Sequence, residues 1–224
     1  MTAVYKPIEG LAQVIMTYVV HGDGSVEGTE SMRGDELSKC PDMFRYGMRF
    51  AMPGQYNTLD FYGKGPWENY SDRESSALVG HYVQNVTDQY HYGYVRTQES
   101  GTKTGLKWMR MLDGNGTGLE VTADVKFSGS ALPFSIEDLD VAFLGPKVYK
   151  ENDTNYQPAA SQHSLDIRNR AHDFDRSNGT THVTFDLVQM GLGCVNSWGA
   201  MPFDPYLVKA QERDFNFVLR PVNN

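Results

Sequence analysis

Large apolar side chains recur at every second position in several separate stretches of this chain, the period of a strand that packs on one face. Val14, Met16, Tyr18 and Val20 alternate with Ile15, Thr17 and Val19, and His21-Gly22-Asp23-Gly24 then supplies turn chemistry before Val26 restarts an extended segment. A hairpin is predicted there. Phe44, Tyr46, Met48, Phe50 and Met52 alternate with Arg45, Gly47, Arg49 and Ala51, which sets two arginines opposite five apolar side chains. Leu119, Val121, Ala123, Val125 and Phe127 repeat the pattern after the turn Asp113-Gly114-Asn115-Gly116, itself preceded by an apolar run around Trp108 and Met111. This is a second hairpin signal. Leu165 and Ile167 lead through Asn178-Gly179 into Val183, Phe185 and Leu187, and Phe215, Phe217 and Leu219 form a last strand ahead of Pro221.

Helical signal is weak by comparison. Ser135-Ile136-Glu137-Asp138 resembles an N-terminal capping box ahead of Leu139 and Phe143, and a lesser candidate lies between Asp72 and Tyr82. One or two short helices are expected. No composition break and no fixed-period repeat divides the chain, so the reading is a single all-β domain over residues 1–224, antiparallel, with two or more layered sheets. The longest irregular regions, Gly63 to Asp72, Lys150 to Gln162 and Gly191 to Asp204, are where binding residues are expected, because loops carry function on a rigid scaffold.

A hydrophobic fraction of 40% with 22 Gly is that of a chain that folds, and a formal charge of -8 repels nucleic-acid phosphates and anionic membrane surfaces alike. Neither is an expected partner. No stretch approaches the ~18 uninterrupted apolar residues of a membrane span, and Met1 to Gly10 lacks a basic patch followed by an apolar core. The chain reads as soluble, with no compartment indicated.

Cys40 and Cys194 lie in no metal-ligand spacing and are expected as free buried thiols. His21, His81, His91, His163, His172 and His182 form no pair or cluster of the kind that binds a transition metal, so neither metal nor cofactor is expected. The absence of a Gly-x-Ser-x-Gly elbow and of a phosphate loop argues against an α/β serine hydrolase and a nucleotide enzyme. Glu68, Asp72, Glu74, Glu99 and Glu137 are more readily salt-bridged or solvated than catalytic, since spacing along a chain does not select a carboxylate pair. Trp198 stands apart. It sits in the small-residue loop Gly191-Leu192-Gly193-Cys194-Val195-Asn196-Ser197-Trp198-Gly199, and an indole shown from a loop suits packing on a sugar ring while its N–H bonds a hydroxyl. Core filler is the competing role, and Trp67 and Trp108 have similar claims.

Tyr62-Gly63-Lys64-Gly65-Pro66-Trp67-Glu68-Asn69-Tyr70-Ser71-Asp72-Arg73 closely resembles a signature of the C-terminal domain of family-two β-galactosidases. Three further motifs follow in the family's order: Tyr94-Val95-Arg96-Thr97-Gln98-Glu99-Ser100-Gly101, then Phe127-Ser128-Gly129-Ser130 with Leu139, then Gly191-Leu192-Gly193 with Ser197-Trp198-Gly199. The resemblance covers roughly Val14 to Val222. It implies a β-supersandwich related to galactose mutarotases, joined in the parent enzyme to a separate (β/α)8 barrel that carries the hydrolytic glutamates. It also implies that Trp198, with Asn196 and Ser197, forms an aromatic wall for a β-galactoside, and that Glu68, Asn69, Tyr70, Asp72 and Arg73 are structural members of their motif. No catalytic residue is expected in this chain, and its partners would be the barrel and other domains of the parent.

Two departures stand out: Cys194 replaces a customary Gly, and the family domain starts upstream with extra strands and an Asn-Asp segment, whereas this chain opens with Met1. A truncated piece is therefore expected, with an exposed edge or apolar face that favours a homo-oligomer. Two rival functions are a stand-alone carbohydrate-binding module using Trp198 and Trp67, and a mutarotase-like epimerase using His91 and Glu99 as acid and base.

Overall fold

The computed structural model describes residues 1–8, 10–91, 99–136, 179–193 and 199–223. Within them the chain forms β1 (Thr2–Ile8), β2 (Ala12–Val20), β3 (Val26–Arg33), β4 (Arg45–Pro53), β5 (Thr58–Gly65), β6 (Leu78–Asn85), β7 (Lys103–Leu112), β8 (Gly118–Leu132), β9 (Thr180–Gln189) and β10 (Arg213–Val222). Single 3-10 turns occur at Leu37–Lys39, Val86–Asp88 and Asp204–Tyr206. Every strand pairing is antiparallel, and the architecture is the expected all-β one. No helix of the described residues is long and apolar enough to cross a membrane.

Both sequence-read hairpins are present. β2 and β3 meet at Val20 and Val26, with the Asp23 carboxylate accepting from the amide and hydroxyl of Ser25 in the turn. β7 and β8 meet at Leu112 and Gly118, and Asp113 Oδ1 accepts from the amides of Asn115 and Thr117. Such side-chain bonds replace the ladder bonds that a reversing backbone loses.

The strands of the described residues join in one hydrogen-bonded network. The cause is the length of β8, 15 residues. One edge of β8 runs along β7, which continues through β5 to β6. Its other edge is shared: Gly118 to Ala123 pair with β10, and Ser128 to Leu132 pair with β9. The sheet therefore forks at β8 into a β10-β3-β2-β1 branch and a β9-β4 branch. Phe185 of β9 meets Phe217 and Phe215 of β10 at ring-centroid distances of 4.9 and 6.0 Å, so the branches share one core. Each such buried ring contributes about 2–3 kcal/mol through apolar burial.

Several local expectations are corrected. The helix between Asp72 and Tyr82 is absent: turns lead into β6, whose Phe61-facing Tyr82 alternates with the β-branched Val79 and Val83 in pairing with β5. The irregular region from Gly63 starts as strand, because β5 continues to Gly65. Pro221 lies inside β10 rather than after it, and is tolerated because β3 pairing ends at Leu219, leaving the proline paired only with β8. Phe44 is 74% exposed rather than buried. Cys40 is free and half-buried. The capping box at Ser135 reaches the end of the described residues at Ile136, and Leu139, Leu165, Ile167 and Cys194 lie outside them.

Candidate functional site

The loop from Pro66 to Glu74 leaves β5 through a cis Gly65–Pro66 bond and folds back over the start of β7. Asn69 is its main fastening. This side chain is 1% exposed; its amide group donates to the carbonyls of Lys64 and Trp67 at 3.0 Å, and its Oδ1 accepts from the Thr104 amide at 3.1 Å. Its backbone amide donates to Thr102 O at 2.8 Å. The Thr104 hydroxyl lies between Asn69 Oδ1 and Glu74 Oε2, 2.7 Å from the latter. Glu74 also meets Lys64 Nζ at 2.7 Å. Burial pushes the Glu74 carboxyl up, but Lys64 and Thr104 outweigh it and hold the group below its ordinary value.

Glu68 bridges two of the sequence motifs. One oxygen pairs with Arg73 at 2.7 Å; the other accepts from the Ser100 hydroxyl at 3.1 Å and the Gly101 amide at 2.8 Å. The Arg73 guanidinium stands over the Tyr70 ring, 4.8 Å from its centroid. Tyr70 is 1% exposed, and burial, reinforced by Glu99 and Glu68, drives its phenol far above the ordinary range. Beneath lies a buried ionic group. Arg45 meets Glu99 at 2.6 Å and Asp186 at 3.7 Å. One guanidinium serves two carboxylates, so burial wins: the Asp186 carboxyl is pushed up to about 7, and Glu99 is raised as well. Glu99 also accepts from the Thr102 hydroxyl at 2.9 Å. A carboxylate so engaged is poorly disposed to act as the base of an epimerase; the His91 backbone amide donates to the Ser100 hydroxyl at 2.9 Å.

Asp72 ties the loop to the end of β9. Its Oδ2 accepts from the Gly193 amide, and its Oδ1 is buried without a hydrogen-bond partner among the described residues. Asn196, Ser197 and Trp198 lie outside the described residues. Phe44, Trp67, Met201 and Phe203, on the loops meeting at this end, are 74%, 77%, 53% and 75% exposed. The geometry brings Glu68, Asn69, Tyr70, Asp72 and Arg73 together with Ser100 to Thr104 and Gly191 to Gly193. Arg45, Asp186 and Thr104 join them without having been singled out by sequence. The alternation that set Arg45 opposite an apolar face was the one available hint.

The model of the family described as beta galactosidase small chain matches residues 1–219. The chain belongs to this family. A beta-galactosidase of Halalkalibacterium halodurans is 28% identical over 215 residues, covering 94% of this chain and 18% of that protein. One of Priestia megaterium is 28% identical over 213 residues, covering 95% and 18%, and one of Lactobacillus delbrueckii subsp. bulgaricus is 27% identical over 223 residues, covering 99% and 19%. The chain thus spans 18 to 19% of the length of these curated relatives. As a beta galactosidase small chain, it presents a densely bonded end in which Glu68 has both oxygens engaged and Glu99 is paired with Arg45.

Proposed function

We propose that this small chain is the C-terminal, non-catalytic part of a retaining β-galactosidase. Trp198, flanked by Asn196 and Ser197, supplies an aromatic wall to the galactoside, and the hydrolytic carboxylates belong to other domains of the same enzyme. The observation that carries this reading is the lopsided coverage: relatives named beta-galactosidase match nearly all of this chain with less than a fifth of their own length. The bonding of Glu68, Glu74 and Glu99 to neighbouring cations, hydroxyls and amides supports a scaffolding role for these acids. The exposed Phe44, Trp67, Met201 and Phe203 suit contact with the barrel and with further subunits of a homo-oligomer. The β-supersandwich related to mutarotases is part of the same reading.

Kinetics on a chromogenic β-galactoside test it. The isolated chain should show no turnover, and Trp198→Ala in the full-length enzyme should raise KM about tenfold, the equivalent of ~1.4 kcal/mol of binding. Turnover by the isolated chain, or an unchanged KM in the variant, overturns the proposal. Galactoside binding by the isolated chain at millimolar affinity or better would instead favour a carbohydrate-binding module.

A further inference from the structure

Three strands keep an edge that is unpaired among the described residues: β1, β4 and β6. Two of them carry devices that discourage further pairing. β1 contains Lys6 and Pro7 and shifts register between Tyr5 and Ile8; β4 contains Arg45, Arg49 and Pro53 and shifts between Tyr46 and Gly47. β6 has none of these. Leu78-Val79-Gly80-His81-Tyr82-Val83-Gln84-Asn85 holds no Asp, Glu, Lys, Arg or Pro, pairs with β5 along its whole length without a shift, and leaves Leu78, Val79 and Val83 exposed.

The bonding groups of β6 fall on two sides. Val86 donates its amide to Asn57 O at 2.8 Å, which continues the β5–β6 register by one pair. Antiparallel bonds return at every second residue, so Gln84, Tyr82 and Gly80 direct their amides and carbonyls to β5, and Val83, His81 and Val79 direct theirs to the open side. Neither large side chain of the strand obstructs that side. Tyr82 leans onto Phe61 of β5, with 5.3 Å between ring centroids. His81 leans the same way, its Nε2 2.6 Å from Asp60 Oδ1 of β5 and its ring 5.5 Å from that of Trp108 on β7.

The side-chain order selects the occupant. Under a twofold axis at His81, a second β6 running antiparallel sets Val79 opposite the partner's Val83, Val83 opposite the partner's Val79, and His81 opposite the partner's His81. The amides of the three open residues then all meet carbonyls of the other copy. On the other face Tyr82 lies across from the partner's Gly80, the one position of the strand without a side chain. An axis at Tyr82 would set Tyr82 against the partner's Tyr82 and Val79 against the partner's Asn85; an axis at Gly80 would leave Val83 facing the partner's Ala77, outside the strand.

We propose that β6 is a homotypic edge: two copies of the chain join antiparallel β6 strands about a twofold axis at His81, so that one sheet runs through both. This deepens and rests on the homo-oligomer part of the proposed function, at a contact separate from the apolar rim and independent of the sugar wall. A contact of one strand buries less than the ~1,200 Å2 of a standard interface, so the isolated chain pairs through it at roughly hundreds of micromolar rather than tens.

The test is oxidative cross-linking of the whole chain at roughly 300 µM, a concentration in that range, with Cys40→Ser and Cys194→Ser as background and one cysteine added. In His81→Cys the two copies of position 81 would stand ~5.5 Å apart at Cα, within disulfide reach, whereas in Val79→Cys or Val83→Cys the like positions would be ~13 Å apart. Covalent dimer should form about tenfold faster in His81→Cys than in either valine variant, and as fast in an equal mixture of Val79→Cys and Val83→Cys chains. Equal rates at all three positions overturn the inference, as does fastest cross-linking in a mixture of His81→Cys and Val83→Cys chains. Adding Trp67→Ser and Phe203→Ser should leave the His81→Cys rate unchanged; its loss would make the edge contact a by-product of the rim and overturn the inference, while the homo-oligomer reading stands. Should the cysteine variants fail to fold, hydrogen exchange of the unaltered chain decides. Raising its concentration from roughly 20 to 500 µM should slow exchange in peptides covering Leu78 to Asn85 and leave those covering Thr2 to Ile8 and Arg45 to Pro53 unchanged. No slowing overturns the inference. Protection of Leu78 to Asn85 in the full-length enzyme alone, at every concentration, would assign the edge to a strand from another domain and overturn it too.

Discussion

Glu30 lies on β3 between its register partners Met16 and Phe215, 5% exposed, with Oε2 lacking a hydrogen-bond partner among the described residues. Burial, with a smaller contribution from Asp186, pushes its carboxyl up to about 8. In the unfolded chain the same acid ionises near its ordinary value. The fold therefore favours the neutral acid, and that stabilisation, complete at low pH, is lost as pH rises toward 8; Asp186, pushed up to about 7, acts in the same direction. Lys103 is opposite in sign. Burial, opposed by Glu68, pulls it down to about 8, so its penalty holds below that pH and is relieved above it. Thermal denaturation should accordingly show Tm falling from pH 5 to pH 8 and levelling or partly recovering beyond. Glu30→Gln, which keeps the shape without the charge, should raise Tm by ~4–8 °C at pH 8.5, for ~2 kcal/mol in a domain of this size, and change it little at pH 5. An equal shift at both pH values would show that charge is not the cause.

The loop between β5 and β6 makes its strength out of one amide. Asn69 makes five hydrogen bonds at once: its side chain donates to Lys64 of β5 and to Trp67 of its own loop and accepts from the amide and hydroxyl of Thr104 on β7, and its backbone amide donates to Thr102. Asn69→Ala should cost about 2–3 kcal/mol by leaving buried carbonyls and the Thr104 amide unpaired, read as a lower urea midpoint with the slope unchanged. A loss under 0.5 kcal/mol would mean that water replaces the side chain. This element also shows what was legible beforehand. Residues Glu68 to Arg73 were picked out by motif, yet not the bonds between them and Ser100 to Thr104, because partners brought together by strand pairing leave no local spacing to read. Strands such as β2, β4, β8 and β10 are legible by their period of two. β6 is not, since Leu78, Val79 and Val83 stay exposed and a Ser-rich lead-in imitates a helix start. β1 carries no such alternation either, with five of its seven residues exposed. β9 was read from Val183 and Phe185, but its other face is buried too, with Thr184 and Asp186 at 8% and 2% exposure. An acid there is explained only by Arg45 from the adjoining strand.

At the scale of the molecule, the fork at β8 keeps the aromatic core inside and sends the loops of β5, β9 and the β3–β4 connection to one end. Phe44, Trp67, Met201 and Phe203 stand there at 53% exposure or more. Four large apolar side chains on neighbouring loops cost free energy in water, and under the proposed function the other domains of a parent β-galactosidase would bury them. Without those domains, the same surface should draw copies together. The isolated chain is expected to sediment above its monomer mass at tens of micromolar. Trp67→Ser with Phe203→Ser should shift it toward monomer while leaving Tm within about 1 °C, since side chains 77% and 75% exposed contribute little to the core. In the full-length enzyme the same pair should lower the temperature at which this portion separates from the rest, visible as a split calorimetric transition. Monomeric behaviour of the unaltered chain would remove the apolar rim as a contact surface, and association that persists in the variant would move the contact to the sheet edges left unpaired among the described residues, at β1, β4 and β6.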